Sequence, residues 1–142
     1  MTPIGVQPEL AVPHEAPTGV ICLIVEDEVL VGMDLENVLC EAGFDARWVA
    51  STQGALAALE TTSPHVAILD IIIRAVPCTD LARELKRRGI PFLLHSGCFP
   101  DEALADFQGA PWLGKPAELS ALLSTLAATL ASDRSGMAVQ PG

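Results

Sequence analysis

Polar residues that stand directly at the ends of apolar runs are the part of this chain able to do chemistry. Glu26 and Asp27 follow residues 20–25 (VICLIV), Asp70 follows residues 66–69 (VAIL), Ser96 closes residues 91–96 (PFLLHS), and Lys115 precedes Pro116. Three carboxylates drawn to one place repel one another by about 4 kcal/mol per pair at about 4 Å and an effective dielectric of about 20. Such a cluster calls for positive charge. Lys115 supplies one unit, and an all-oxygen donor set suits Mg²⁺, which keeps several waters and takes one or two carboxylates. A divalent cation and an ammonium beside a carboxylate make a place for a phosphoryl group, whose oxygens need positive charge and hydrogen-bond donors during transfer. In that chemistry Asp70 is the nucleophile, since carboxylates form acyl-phosphates. Ser96 can donate a hydrogen bond to the transferred oxygens, and Gly97 leaves room beside it.

The elements that must position these residues follow from the pattern around them. Wholly apolar runs such as 20–25 and 66–69 read as strands buried on both faces of a parallel sheet. Parallel strands present their carboxyl ends on one edge, where the following loops open a crevice, so residues far apart in sequence can converge there. Between the strands, apolar positions 31, 35, 38, 39 and 42 line one helical face closed by Gly43, and a more exposed strand spans 44–50. Ser51 or Thr52 caps a short helix to about residue 60. After the central strand, a loop over 71–77 leads to Thr79 or Asp80 as cap and a helix over 81–88 ended by Gly89. Asp101 can cap a short helix to about Phe107, residues 111–114 give a short fifth strand, and leucines at 119, 122, 123, 126 and 130 stripe a last helix. Five strands alternating with five helical stretches predict an α/β fold, a doubly wound five-stranded parallel sheet with helices on both faces and right-handed crossovers. Residues 1–19, with Pro3, Pro8, Pro13 and Pro17, read as an extended leader, 20–131 as the single folded domain, and 132–142 as a flexible polar tail.

Composition narrows the function. At 142 residues, half of them hydrophobic, the chain can bury the core of one domain. A formal charge of -10 argues against nucleic-acid binding and against an anionic membrane surface. Cys22, Cys40, Cys78 and Cys98 form no CxxC pair and read as reduced thiols in a cytoplasmic protein. No signal peptide and no bilayer-spanning apolar run is found. His14, His65 and His95 lack ligand spacing, and Arg83, Lys86, Arg87 and Arg88 suit the negative pole of a helix end.

The ordered set Glu26-Asp27-Glu28, Ile68-Leu69-Asp70-Ile71, Ser96-Gly97 and Lys115-Pro116 resembles the receiver domains of two-component response regulators, over about residues 20–131. The resemblance implies a flavodoxin-like receiver fold. It makes Asp70 the phosphoacceptor for a sensor histidine kinase or a histidine phosphotransfer protein. It gives Mg²⁺ to Asp27 and Asp70 directly, to Glu26 through water and to the main-chain carbonyl of Ile72. It also implies a cis Lys115-Pro116 bond aiming Lys115 into the cleft, and a switch in which Ser96 moves toward the phosphoryl group and Trp112 turns inward behind it. Ile72 and Cys98 stand where the family positions side chains around the hydrolytic water, and neither orients water well, so a long-lived phosphoryl-aspartate is expected. Arg74-Ala75-Val76-Pro77-Cys78 replaces the family's usual Pro-Gly turn, and Ala117 replaces a frequent aromatic residue. The run at 88–92 (RGIPF) with Ser96-Gly97 resembles a subgroup of stand-alone receivers.

The expected function is that of a single-domain response regulator, not an enzyme beyond its own phosphorylation and slow dephosphorylation, acting on a downstream protein the sequence does not name. No output domain is expected after residue 131. The alternative from another class is a pseudo-receiver that binds a partner constitutively. A hydrolase of the haloacid dehalogenase type is disfavoured, because that family places its nucleophile early in a DxD motif and Ile72 stands where the second Asp would be.

Overall fold

The computed structural model describes residues 19–97 and 105–139. Along it the chain forms β1 (Ile21–Val25), α1 (Val29–Glu41), β2 (Asp45–Val49), α2 (Thr52–Ala58), β3 (Val66–Leu69), β4 (Ile72–Ile73), β5 (Val76–Pro77), α3 (Thr79–Arg87), β6 (Phe92–Ser96), a 3-10 turn (Ala105–Phe107), β7 (Trp112–Gly114) and α4 (Leu119–Val139). Five of the strands make one sheet in the order β2-β1-β3-β6-β7, every neighbouring pair parallel. This is the doubly wound arrangement that the alternation of apolar runs and helical stretches predicts.

The period-two alternation of each strand explains why both faces are covered. Leu23, Val25, Ala67, Leu69, Phe92 and Leu94 join one buried cluster with Ala55, Leu81, Ala82 and Leu85 of α2 and α3. Cys22, Ile24, Val66, Ile68 and Leu93 join the other with Leu35 and Leu39 of α1 and Leu122, Leu123 and Leu126 of α4. Each fully buried aliphatic side chain contributes about 2 kcal/mol, so these two layers dominate the energetics of the fold.

Helix ends follow their local chemistry. The Ser51 hydroxyl accepts the Gly54 N–H at 2.9 Å as the N-cap of α2. Gly43 and Gly89, after α1 and α3, adopt φ of 106° and 73°, a region open to glycine at no steric cost.

Three features differ from the sequence expectation, and a fourth is described only in part. Cys78, not Thr79 or Asp80, is the N-cap of α3. The loop over 71–77 contains a two-stranded hairpin, with Ile72 opposite Pro77 and Ile73 opposite Val76. Its turn residues Arg74 and Ala75 have φ of 56° and 68°, the positive values of a tight hairpin turn, although neither is the Asn or Gly such turns favour. The helix expected from Asp101 begins outside the described residues, and its described end is the 3-10 turn. Finally, α4 continues past Ala131 to Val139, over most of the stretch read as a tail. The leader lies outside the described residues apart from Gly19. No described helix is long and apolar enough to cross a membrane.

Candidate functional site

The strand order places a switch point at β1. From β1 the chain steps to β2 on one side and returns to β3 on the other, so the carboxyl ends of β1 and β3 diverge into a crevice. Val25 pairs with Leu69, which sets Glu26 and Asp70 side by side just beyond the last pair. Their backbones stay in the sheet: Asp70 N–H donates to the Val25 carbonyl at 3.1 Å, and Glu26 N–H donates to the Val49 carbonyl at 3.1 Å. Both side chains are buried.

Lys115 arrives from the far edge of the sheet, directly after β7. Its Nζ donates to Asp70 Oδ2 at 2.6 Å, to Glu28 Oε1 at 2.8 Å and to Glu26 Oε2 at 3.0 Å, which uses all three ammonium protons. The Lys115-Pro116 peptide is cis. Burial alone would push this ammonium's pKa down. The hydrogen bonds to Asp70, Glu28 and Glu26 outweigh it and hold Lys115 above the usual lysine range, so it remains charged. Glu26 has the reverse balance: burial raises its carboxyl, and the bonds from Lys115 and the Glu28 N–H offset only part of that.

Asp27 completes the acidic group. Oxygens of Glu26, Asp27 and Asp70 lie within 4.8 Å of one another. With Glu28, four carboxylates face one ammonium, leaving three negative charges in surplus. An oxygen-only, acid-rich cluster fits Mg²⁺ by its donor chemistry. The hairpin frames it from the other side, because Arg74 N–H donates to Asp27 Oδ2 at 2.8 Å and Ile72 N–H donates to Asp70 Oδ1 at 3.3 Å. Cys78 N–H bonds to the Ile71 carbonyl, so Ile72 occupies the alternate, non-hydrogen-bonded position of the hairpin. Its N–H therefore faces outward to Asp70 and not into the β4–β5 ladder.

Ser96 is buried at the end of β6, and Lys115 N–H donates to its carbonyl at 3.3 Å. Trp112 begins β7 half-exposed, its ring lying over Gly114. Cys98 is outside the described residues. The crevice therefore gathers Glu26, Asp27, Asp70, Ile72 and Lys115, with Ser96 on the same edge and Trp112 at the far end of a neighbouring strand.

Several members of the site were not singled out from the sequence. Glu28 counts there only as part of an acidic run, yet it is a direct partner of Lys115. The Cys78 thiol donates to the Asp70 carbonyl at 3.0 Å, and burial, then the nearby Asp70 charge, push it up to about 12, so it packs as an inert group. His95, buried one residue before Ser96, accepts the Ala117 N–H at 3.4 Å, and burial followed by the charge of Lys115 keeps its pKa low. It floors a groove of about 440 Å³ that opens beside Lys115 between Leu30, Val31 and Leu35 of α1 and Pro116.

No protein-family model and no curated protein matches the chain. Solved structures do. A candidate response regulator from Chloroflexus aurantiacus J-10-fl is 28% identical, with 78% of this chain and 97% of that one covered and a TM-score of 0.68. A response regulator receiver domain (CheY-like) from Methylobacillus flagellatus is 25% identical, covering 77% and 97% at a TM-score of 0.65. A CheY-like receiver domain protein from Methanospirillum hungatei JF-1 is 22% identical, covering 82% and 97% at a TM-score of 0.72.

Proposed function

We propose that this chain, which shares the fold of response-regulator receiver domains, accepts a phosphoryl group on Asp70 in the presence of Mg²⁺. The donor is a histidine kinase or a histidine phosphotransfer protein, and the modified domain relays or switches a signal through contact with another protein. The observation that carries this reading is the Lys115 ammonium 2.6 Å from the Asp70 carboxylate, within a group of acids whose oxygens converge to 4.8 Å.

The step balances as a transfer between two nucleophiles. A carboxylate oxygen of Asp70 bonds to phosphorus while the donor's P–N bond breaks, and the imidazole nitrogen leaves with the bonding pair and takes a proton from water. Asp27 and Asp70, with the Ile72 carbonyl, would hold Mg²⁺, and Glu26 would reach it through water. When bound, the ion supplies the positive charge that lets an anionic donor approach. Lys115 stays protonated and neutralises oxygen charge as it builds on the phosphoryl group. Ser96 donates a hydrogen bond to the same oxygens, and Trp112 is the ring that responds to its movement.

Intact mass after incubation with acetyl phosphate and Mg²⁺ tests the reading. Wild type should gain about 80 Da, the mass of one phosphoryl group in place of a proton. Asp70→Asn should not, and neither protein should be modified when Mg²⁺ is chelated. An unmodified wild type would leave a domain that binds partners without phosphate.

A further inference from the structure

The main chain of Glu26 is gripped from β2 at both of its polar groups. Its N–H donates to the Val49 carbonyl at 3.1 Å, and its carbonyl accepts the indole Nε1–H of Trp48 at 2.8 Å. The indole in turn is fixed from below. It lies on Gly32 in the middle of α1, where a β-carbon would overlap Nε1 and Cε2 of the ring. Glycine is a poor helix former at an interior position, and here only its missing side chain lets the ring lie flat on the helix. The Trp48 backbone N–H, on the edge strand, is held by Glu36 Oε2 of the same helix at 3.3 Å. Edge strand, first helix and acidic loop are thus locked at one residue, whose carboxylate partner is Glu36 of α1 and none of the acids of the crevice.

We infer that Trp48 is a positioning residue for the cation site: its indole N–H fixes the carbonyl between Glu26 and Asp27, and so sets where both carboxylates point. The inference rests on the metal-binding reading above and adds a residue to it. A carbonyl hydrogen-bonded at 2.8 Å cannot rotate its peptide plane without losing that bond, and the Glu26–Asp27 plane determines the direction in which Asp27 leaves the strand. Groups that orient ligands in this way typically govern metal affinity by tenfold or more when they are removed.

The test separates orientation from packing. Trp48→Phe keeps an aromatic ring over Gly32 and removes the donor, and replacement of Trp48 by 3-benzothienylalanine keeps the full bicyclic shape with sulfur in place of N–H. Mg²⁺ affinity is measured by calorimetry and the melting temperature without metal is measured beside it. The expected result is roughly tenfold weaker Mg²⁺ binding in both proteins, with the benzothienyl protein melting close to wild type. Intrinsic fluorescence should also respond to Mg²⁺ in wild type and in Trp112→Phe, but lose that response in Trp48→Phe. Mg²⁺ affinity within twofold of wild type in the benzothienyl protein would overturn the role while leaving the phosphoacceptor reading intact. A wild type that binds no Mg²⁺ would overturn both, and that result comes from the wild-type titration alone.

Discussion

Lys115 and Arg88 each draw carboxylates from separate parts of the chain, and the two clusters are built on opposite terms. At the crevice one ammonium faces Glu26, Glu28 and Asp70, with Asp27 beside them, and Glu26 and Asp70 are buried. On the outer face of α3, Arg87 and Arg88 meet Glu84 and Glu60, cation for acid, with Arg87 and Glu60 open to solvent and Glu84 and Arg88 partly exposed. Arg88 also donates to the Leu59 carbonyl at 2.8 Å, tying the end of α3 to the end of α2. Matched, solvated charges suit a surface and add little to stability. Buried like charge in surplus costs stability, and such sites cluster where a ligand supplies the missing charge. The backbone shows the same division. Beside the crevice, Arg74 and Ala75 hold positive φ without being glycine, whereas α3 leaves through Gly89.

The sharpest way to break this contrast is to remove the two cations. Lys115→Met strands Glu26 and Asp70 without their partner, and metal-free stability in urea should fall by about 3 kcal/mol, with Mg²⁺ restoring part of the loss. Arg88→Met, in the solvated cluster, should cost about 1 kcal/mol or less. Equal costs would mean that the crevice is an ordinary surface ion network.

Glu26→Gln addresses the surplus itself. Burial raises the Glu26 carboxyl, so the fold favours its protonated form. A group shifted in that direction contributes its stability below its unfolded pKa and loses it as pH rises through the folded one. At neutral pH the charged side chain is therefore a cost, and the neutral isostere should raise the metal-free melting temperature by about 2 °C. The gain should disappear toward acid pH, where the wild-type side chain is neutral as well, and Mg²⁺ affinity should fall. Thermal melts between about pH 4 and pH 8 check the sign.

Ala75→Gly probes backbone strain on the same rim. An alanine in the left-handed region carries a penalty of about 1 kcal/mol that glycine lacks, so the variant should be more stable by up to that amount in urea unfolding. No change would mean that the hairpin turn is not strained.

The division between the two regions also explains what could be read in advance. The central strands were legible because burial on both faces makes them almost uniformly apolar, and the crevice was legible because Glu26, Asp27, Asp70 and Lys115 stand at the carboxyl ends of the strands. The β4–β5 hairpin was not, because Arg74-Ala75 carries none of the turn chemistry that marks such loops and its strands are two residues long. Trp48 was hidden for a different reason: its partners, Glu26, Gly32 and Glu36, come from other elements, and the only local sign was a glycine inside an otherwise good helix. The extension of α4 was masked by the polar run Ser132-Asp133-Arg134-Ser135-Gly136, whose composition resembles a tail. The roles proposed for Ser96 and Trp112 rest on movement, which spacing in a sequence does not report.

The smallest effect is expected at Glu84, and its sign is opposite to that at Glu26. Arg87, then Arg88, hold the Glu84 carboxyl down to about 2. A carboxylate lowered in this way contributes stability above its unfolded pKa and loses it as pH falls through the folded one. Glu84→Gln should therefore lower the melting temperature slightly at pH 6, and the gap between variant and wild type should close as pH falls from about 4.5 toward about 2. Because the cluster is solvated, added salt should close it too, within a Debye length of about 3 Å at 1 M. The Glu26→Gln difference should survive the same salt, since buried charges are screened far less. If both differences respond alike to salt, burial does not separate the two clusters, and the surplus acid at the crevice loses its meaning as a binding signal.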